Sequence, residues 1–383
     1  MNKSDCAIKI VFAGGGTGGH IYPGIAVADE LVRLAGTQDK SVKIFWIGNQ
    51  SGMDKDIIEK NLSSEGGSID SFYGIPCGKL RRYLSLKNFT DIFKIIAGFV
   101  KSLFILAKLR PDVLFSKGGF VSVPPCAAAK ILHIPYYTHE CDFTPGLATR
   151  INSRGAKSIL LSYERTAGYL KPSLRSKCIV TGNPVRPIFY EDNSAKGLEF
   201  LKIEKKTKPV LLVLGGSLGA RQINSLVKEN IGWLKERFVV VHQTGAAFAS
   251  EHPEIMLIDD DSYKPYSFIY KEMPYVIQAS DVVLSRSGAN SLWECAVCGK
   301  PMVLVPLCGS GTRGDQVDNA RFFEQKGCAL VLAGPDADSA HLKKALEELS
   351  DENKRVECSK ACLELCAKTS SAAIIAQTIL GGI

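Results

Sequence analysis

The segment Gly14-Gly15-Gly16-Thr17-Gly18-Gly19-His20 follows the apolar run Ile8 to Ala13 and opens a helical pattern. That pattern has Pro23 in its first turn, Ile25, Ala28, Leu31 and Val32 on one side, and Gly36 at its end. Bare glycines let a ligand approach backbone N–H groups, and a helix N-terminus favours negative charge or a developing oxyanion. His20 stands where loop meets helix. A neutral imidazole there can remove a proton from a hydroxyl near pH 7, and the plain alternative is a structural histidine. A second loop, Gly215-Gly216-Ser217-Leu218-Gly219-Ala220-Arg221, repeats the arrangement and adds a hydroxyl, Ser217, that can donate to a phosphate. Either loop alone reads equally as a tight turn, whereas two in matched positions favour ligand binding.

Two nucleotide chemistries are disfavoured. Gly14, Gly16 and Gly19 fit G-x-G-x-x-G, but a nicotinamide dinucleotide needs an acidic residue near the end of the second strand, and VKIFWIGN ends in Asn49. The phosphate-binding G-x-x-x-x-G-K-[ST] does not occur, because Gly78-Lys79 and Gly299-Lys300 are followed by Leu80 and Pro301. Cys295 and Cys298 are spaced C-x-x-C, and Cys358, Cys362 and Cys366 fall on one helical face. Neither group has a second ligand pair or a histidine at metal-site spacing, so the cysteines are read as reduced, mostly buried thiols.

The elements that position these loops follow from the apolar runs. Ile8 to Ala13, Val113 to Phe115 and Val210 to Leu214 each end in glycines, and Ile44 to Ile47, Val239 to Val241, Val282 to Leu284 and Met302 to Val305 alternate with helical stretches. This is the signature of βα units, hence an α/β chain with parallel sheets. Two openings of strand, glycine loop and helix about 200 residues apart suggest two Rossmann-like domains facing one another across a cleft, with ligands beyond the carboxyl ends of the strands. The charged stretch Tyr190 to Lys208, bracketed by prolines, is expected to connect them. The expected division is 1–189, a linker 190–208 and 209–364, with a helix about 365–383 packing back onto the first domain.

A length of 383 residues, 45% hydrophobic and 22% charged, excludes a mainly disordered chain. The N-terminus lacks a secretory h-region, and the most apolar stretch, Ile95 to Leu109, is broken by Lys101 and Lys108, so a cytoplasmic protein without a spanning helix is expected. From Lys79 to Arg110, eight basic residues face a single acidic one, Asp91, which accounts for nearly all of the net charge of +8. Lys87, Lys94, Lys101 and Lys108 recur every seven residues along one helical stripe, with Phe89, Ile92, Phe93, Ile96, Val100, Leu103 and Phe104 largely elsewhere, as on the solvated face of a crossover helix. In the preceding loop Lys79, Arg81 and Arg82 interleave with Tyr83 and Leu84, a pattern suited to anionic lipid headgroups and to peripheral attachment to the cytoplasmic leaflet.

GGGTGGHIYPGIAVADEL resembles the N-terminal signature of the MurG family of peptidoglycan glycosyltransferases. SKGGFVSVP, HECDFTPGLATR, TGNPVR, VLGGSLGAR, ASDVVLSRSGANSLWE and DQVDNA follow in the family's order, covering roughly residues 8–335. The resemblance implies the GT-B fold, with acceptor and membrane contacts in the N-terminal domain and the UDP-sugar held mainly by the C-terminal one. It implies inverting transfer of N-acetylglucosamine from UDP-N-acetylglucosamine to the 4-hydroxyl of the muramyl sugar of lipid I, giving lipid II. The partners so implied are that donor, that lipid-linked acceptor and an anionic membrane surface. No nucleic acid, cofactor or metal is expected.

Carried over by motif, Thr17, Gly18 and Gly19 contact the donor, and Arg186 and Ser217 serve the sugar nucleotide. Ala289, Asn290, Ser291, Leu292, Trp293 and Glu294 hold the uridine, with Glu294 on the ribose. Gln316 meets the donor sugar, and Ile269, or Tyr270 one residue on, meets uracil through its backbone. Two departures stand out. His139-Glu140-Cys141-Asp142 replaces a frequent H-E-Q-N, so Asp142 accepts but cannot donate when ionised, and it becomes a second candidate base beside His20. Leu218 stands where glutamine is frequent. Asp259, Asp260 and Asp261 contain D-x-D, a metal-holding pattern in another glycosyltransferase architecture, and are read here as a loop. The rival readings are a glycolipid synthase or UDP-sugar epimerase of the same fold and, from another class, a dinucleotide-dependent oxidoreductase.

Overall fold

Runs such as Ile10 to Ala13 and Val210 to Val213 carry no polar alternation, and every one of these residues is buried, as strands covered on both faces require. The structure, a computed structural model, describes residues 7–78, 86–215, 220–258, 260–309, 314–366 and 370–383, with side chains of the helix Leu86–Leu109 described from residue 90 onward. Ser217, Leu218, Asp259 and the basic-loop residues Lys79, Arg81, Arg82, Tyr83 and Leu84 lie outside the described residues.

The first sheet contains β1 (Ile8–Gly14), β2 (Val42–Asn49), β3 (Ser71–Ile75), β4 (Val113–Gly118), β5 (Tyr136–Glu140), β6 (Ser158–Leu161) and β7 (Cys178–Val180). All pairings are parallel, in the order β3-β2-β1-β4-β5-β6-β7. The second contains β8 (Val210–Leu214), β9 (Val239–Gln243), β10 (Tyr263–Tyr266), β11 (Val282–Ser285), β12 (Met302–Leu304) and β13 (Ala329–Val331), also parallel, in the order β10-β9-β8-β11-β12-β13. Strand order reverses between β1 and β4 in one sheet and between β8 and β11 in the other. In open α/β sheets, ligands bind at such switch points.

Two compact units result, one from the described residues of Met1–Arg186 with Thr369–Ile383 and one from Pro187–Lys368. The crossing therefore falls at Arg186–Pro187. The stretch 190–208, expected to be a linker, instead contains the helix Ser194–Phe200 packed on the helix Met273–Ala279. Gly197 makes the close approach possible, since a Cβ there would lie 2.1 Å from the carbonyl oxygen of Tyr275. The composition of this stretch is polar because the helix is short and half-solvated, not because the chain is unpacked. The C-terminal helix Ser371–Leu380 lies on Tyr22–Gly36, with Ala372, Ile375, Ala376 and Ile379 joining the core of the first unit.

That core is aromatic near the first glycine loop. Phe12 stacks on Trp46 at 5.4 Å and meets Phe115 edge-on at 5.2 Å. The Trp46 Nε1–H donates to the Gly14 carbonyl at 3.0 Å, tying packed interior to loop.

Candidate functional site

In the first unit, β1 and β4 run in register from Ile10 opposite Val113 to Ala13 opposite Ser116, and the register then slips so that Gly14 faces Gly118. The extra residue, Lys117, is absorbed as a bulge at the switch point. Its side chain is only 1% exposed, and its Nζ lies 3.1 Å from Nδ1 of His139 at the end of β5. An ammonium can only donate, so His139 accepts at Nδ1 and carries its proton on Nε2, which donates to the Gly182 carbonyl at 3.0 Å. Burial and then the Lys117 charge push the His139 imidazole well below its ordinary value, with His20 adding a smaller push.

Thr17 is exposed, and Gly18, Gly19 and His20 form a short 3₁₀ turn that leads into the helix Tyr22–Gly36. The His20 ring lies against Gly119, whose φ is +75°, and a Cβ there would sit 2.7 Å from Cδ2 of the ring. Gly119 thus seats the imidazole both by its left-handed backbone and by its missing side chain.

Asp142 sits in the turn after β5, half-buried. Glu140, 4% exposed, organises that turn: its carboxylate accepts from the Asp142 N–H at 3.0 Å and from the Gly146 N–H at 2.8 Å, at the entry to the helix Leu147–Asn152. Burial, then the neighbouring Asp142 carboxylate, push the Glu140 carboxyl up. Glu140, Cys141 and Asp142 are the one group of potential ligands close enough to converge on an ion among the described residues. Arg186, at the end of the first unit, lies over the Tyr22 ring at 5.1 Å.

In the second unit the switch point is formed by the residues after β8 and β11. Gly288 caps the helix Ala289–Val297, so Ala289, Asn290 and Ser291 occupy its first turn, where N–H groups point forward and the dipole favours an anion. Ser287, just before it, is fully buried, with no hydrogen-bond partner for its Oγ among the described residues. The carried-over stretch divides here. Leu292 is 0% exposed and Trp293 5%, the latter packed edge-on to Phe323 at 5.6 Å, so these two side chains belong to the core and only Glu294 follows on the accessible side.

Ile269 is also buried, and its N–H is engaged, donating to Gln243 Oε1 at 2.9 Å; Tyr270 is 75% exposed. Gln316 is half-buried and accepts from the Leu307 N–H at 3.0 Å through Oε1. Asp260 pairs with Lys235 and accepts from the Ser262 N–H at 2.7 Å, as a loop carboxylate does.

Several functional candidates escaped the sequence reading. Arg286 donates to Gln222 Oε1 at 3.0 Å and to the Val305 carbonyl at 2.9 Å, fixing a half-buried guanidinium beside the helix Ala289–Val297; burial pulls it below its ordinary value. Its signal was the arginine inside SRSGAN. Lys117 and Glu140 also lay within quoted motifs, but only the fold reveals that they orient other groups.

The cysteines are mostly buried or half-buried, with Cys308 exposed. The eleven among the described residues are free thiols, and burial pushes the Cys295 and Cys298 thiols up. Cys362 Sγ points at the carbonyls of Lys300 and Cys328, at 3.6 and 3.8 Å.

Comparison with known proteins finds both halves of the chain in one family, the C-terminal match running on through most of the helix Ser371–Leu380 that packs in the first unit. Residues 10–161 match the glycosyltransferase family 28 N-terminal domain and residues 210–379 its C-terminal domain. A UDP-N-acetylglucosamine–N-acetylmuramyl-(pentapeptide) pyrophosphoryl-undecaprenol N-acetylglucosamine transferase of Treponema denticola is 55% identical over 335 residues, 85% of this chain and 84% of that protein. A protein of the same description from Treponema pallidum is 47% identical, over 89% of this chain and 86% of its own. In fold, the crystal structure of Acinetobacter baumannii MurG matches with a TM-score of 0.71 at 23% identity, over 98% of this chain and 99% of that one. The chain belongs to glycosyltransferase family 28, among the N-acetylmuramyl-(pentapeptide) pyrophosphoryl-undecaprenol N-acetylglucosamine transferases of the MurG family.

Proposed function

We propose that this enzyme transfers N-acetylglucosamine from UDP-N-acetylglucosamine to the 4-hydroxyl of the muramyl sugar of lipid I, with inversion, giving lipid II. The observation that carries the reading is the coincidence of both switch points with family motifs: GGGTGGH starts at Gly14, the last residue of β1, and SRSGANSLWE runs from Ser285, the last residue of β11, into the helix Ala289–Val297. His20 takes the acceptor hydroxyl proton as that oxygen bonds to the anomeric carbon. The bond from that carbon to the diphosphate oxygen breaks, and its electron pair leaves with UDP. A positioned base contributes about 10²–10⁴-fold.

Arg186, Ser217, Arg286 and the N-terminus of the helix Ala289–Val297 serve the developing diphosphate charge, with Asn290 and Ser291 near it. Such preorganised donors act where charge grows in the transition state. Glu294 accepts from the ribose hydroxyls, Gln316 and Thr17 through Gly19 meet the donor sugar, and the Ile269 backbone meets uracil. Asp142 orients acceptor or donor hydroxyls and stands second to His20 as base. A binding panel tests donor class: UDP-N-acetylglucosamine is bound and NADH is not, whereas the reverse result would return the chain to the oxidoreductases.

The first unit is also the membrane-facing one in this reading. No helix among the described residues is long and apolar enough to cross a membrane. The helix Leu86–Leu109 nevertheless exposes Phe93 (59%), Ile96 (54%), Val100 (43%) and Phe104 (74%) at i, i+3 and i+4 spacings, with Lys94, Lys101 and Lys108 exposed as well. A merely solvated crossover helix has no reason to leave that apolar row uncovered. Apolar side chains inserted among headgroups, with basic residues contributing about 1 kcal/mol each near an anionic leaflet, give peripheral attachment.

A further inference from the structure

The first glycine loop is held by a carboxylate from outside it. Asp54, on the helix Met53–Glu59, is 1% exposed. The Gly16 N–H donates to its Oδ1 at 2.8 Å and Oδ2 at 3.0 Å, and the Asn49 N–H at the end of β2 donates to Oδ2 at 2.8 Å. The approach is close enough that a Cβ on Gly15 would lie 1.7 Å from Oδ2. From the other side, the Trp46 indole holds the Gly14 carbonyl at 3.0 Å. The start of the loop is thus pinned at two points, the Gly14 carbonyl by an N–H donor in the core and the Gly16 N–H by a buried acceptor.

We infer that Asp54 is a positioning residue for the transfer: its carboxylate holds the Gly14 to Gly19 loop, and through it His20, in the working geometry. The acidic residue missing from the end of β2 thus occurs further along the chain, and it faces the loop's own backbone instead of a ribose. A carboxylate suits this task because it offers acceptors in two directions, whereas an asparagine would turn its NH₂ toward one of the two N–H donors. Burial pushes the Asp54 carboxyl up while the N–H bonds from Asn49, Gly16 and its own backbone pull it back, so the charge depends on those bonds being made. The inference deepens the proposal that His20 is the base and rests on it for its effect on turnover.

The test combines amide hydrogen exchange with kinetics on the full chain, using Asp54→Asn and, beside it, His20→Ala. In the unmutated protein the Gly16 amide should exchange at least about 100-fold more slowly than an unprotected amide. Asp54→Asn should speed that exchange by about 10-fold or more. It should also lower kcat on the order of 10²-fold per folded molecule, the scale expected of an ångström-sized misplacement, and raise the donor KM as well, because Thr17 to Gly19 of the same loop meet the donor sugar in the proposed function. An unprotected Gly16 amide in the unmutated protein would overturn the inference. So would an Asp54→Asn variant with unchanged kcat, or one whose loss only tracks its unfolded fraction. If His20→Ala keeps full turnover while Asp54→Asn frees the Gly16 amide and loses kcat, the base assignment fails and the positioning role stands.

Discussion

Lys117 Nζ lies 3.1 Å from His139 Nδ1 with both side chains about 1% exposed, so a buried cation fixes the tautomer of a buried imidazole. The consequence is measurable by nitrogen NMR of the ring: His139 should be neutral with its proton on Nε2 from pH 8 down through pH 6. Replacing Lys117 by Met removes the second cause of the depressed His139 pKa but leaves the larger one, burial, in force. The His139 titration should therefore move upward while staying below 6.5, its ordinary value. An imidazolium signal for His139 at pH 7 in the unmutated protein would contradict the arrangement.

Acid sensitivity follows from two histidines. His242, between the Tyr263 hydroxyl at 2.7 Å and Asn224 Oδ1 at 3.0 Å, is pushed by burial from 6.5 to about 3, and His139 is depressed as well. Below pH 6.5 the unfolded chain takes up these protons and the folded one does not. Stability should thus fall with acid by about 1.4 kcal/mol per pH unit for each histidine, order of magnitude. Glu140 and Asp54, both raised by burial, work in the opposite sense above their ordinary values, so the histidine contribution is read from the difference in slope between the parent and a histidine variant. Denaturant midpoints at pH 7.5 and 5.5 measure it, and His242→Asn should flatten the slope relative to the parent.

Gly119→Ala would drive a methyl group into the His20 ring, whose Cδ2 lies 2.7 Å from the new Cβ position. Turnover should drop on the order of 10²-fold, because the group proposed as the base is displaced. His20→Ala should cost about 10²–10⁴-fold, whereas Asp142→Asn, which restores the frequent amide, should stay within about 3-fold. Steady-state kinetics on the three variants ranks the candidate bases. A large loss with Asp142→Asn and none with His20→Ala would reverse their order.

The apolar row on the helix Leu86–Leu109 predicts that Phe104→Asp, at a side chain 74% exposed, weakens binding to vesicles containing anionic lipid without lowering the melting temperature. Charge reversal at Arg81 and Arg82 tests the preceding loop in the same flotation assay. Unchanged flotation in both variants would remove this face from the membrane contact.

Much of this was legible in the sequence because parallel strands write themselves as unbroken apolar runs. Ile8 to Ala13 and Val210 to Leu214, each ending in glycine, located both switch points. What stayed hidden depends on contacts made at long range. Leu292 and Trp293 look like part of a binding motif, yet a helix turns their side chains into the core, whereas the neighbouring Asn290, Ser291 and Glu294 stay partly exposed. Lys117 reads as an ordinary lysine before a glycine pair until the β4 bulge buries it beside His139. The stretch 190–208 has linker composition, but Gly197 lets its helix pack closely. Periodicity likewise separated the lysines from the phenylalanines of Leu86–Leu109 without saying that both would be exposed.

Release of UDP from UDP-N-acetylglucosamine, followed in EDTA with and without the lipid-linked muramyl-pentapeptide acceptor, tests the transfer most directly. Release should require the acceptor, persist in EDTA, and match a β-linked disaccharide product mole for mole. Donor binding without acceptor-dependent release, or conversion of the donor to an epimer in the absence of acceptor, would contradict transfer to the lipid-linked sugar.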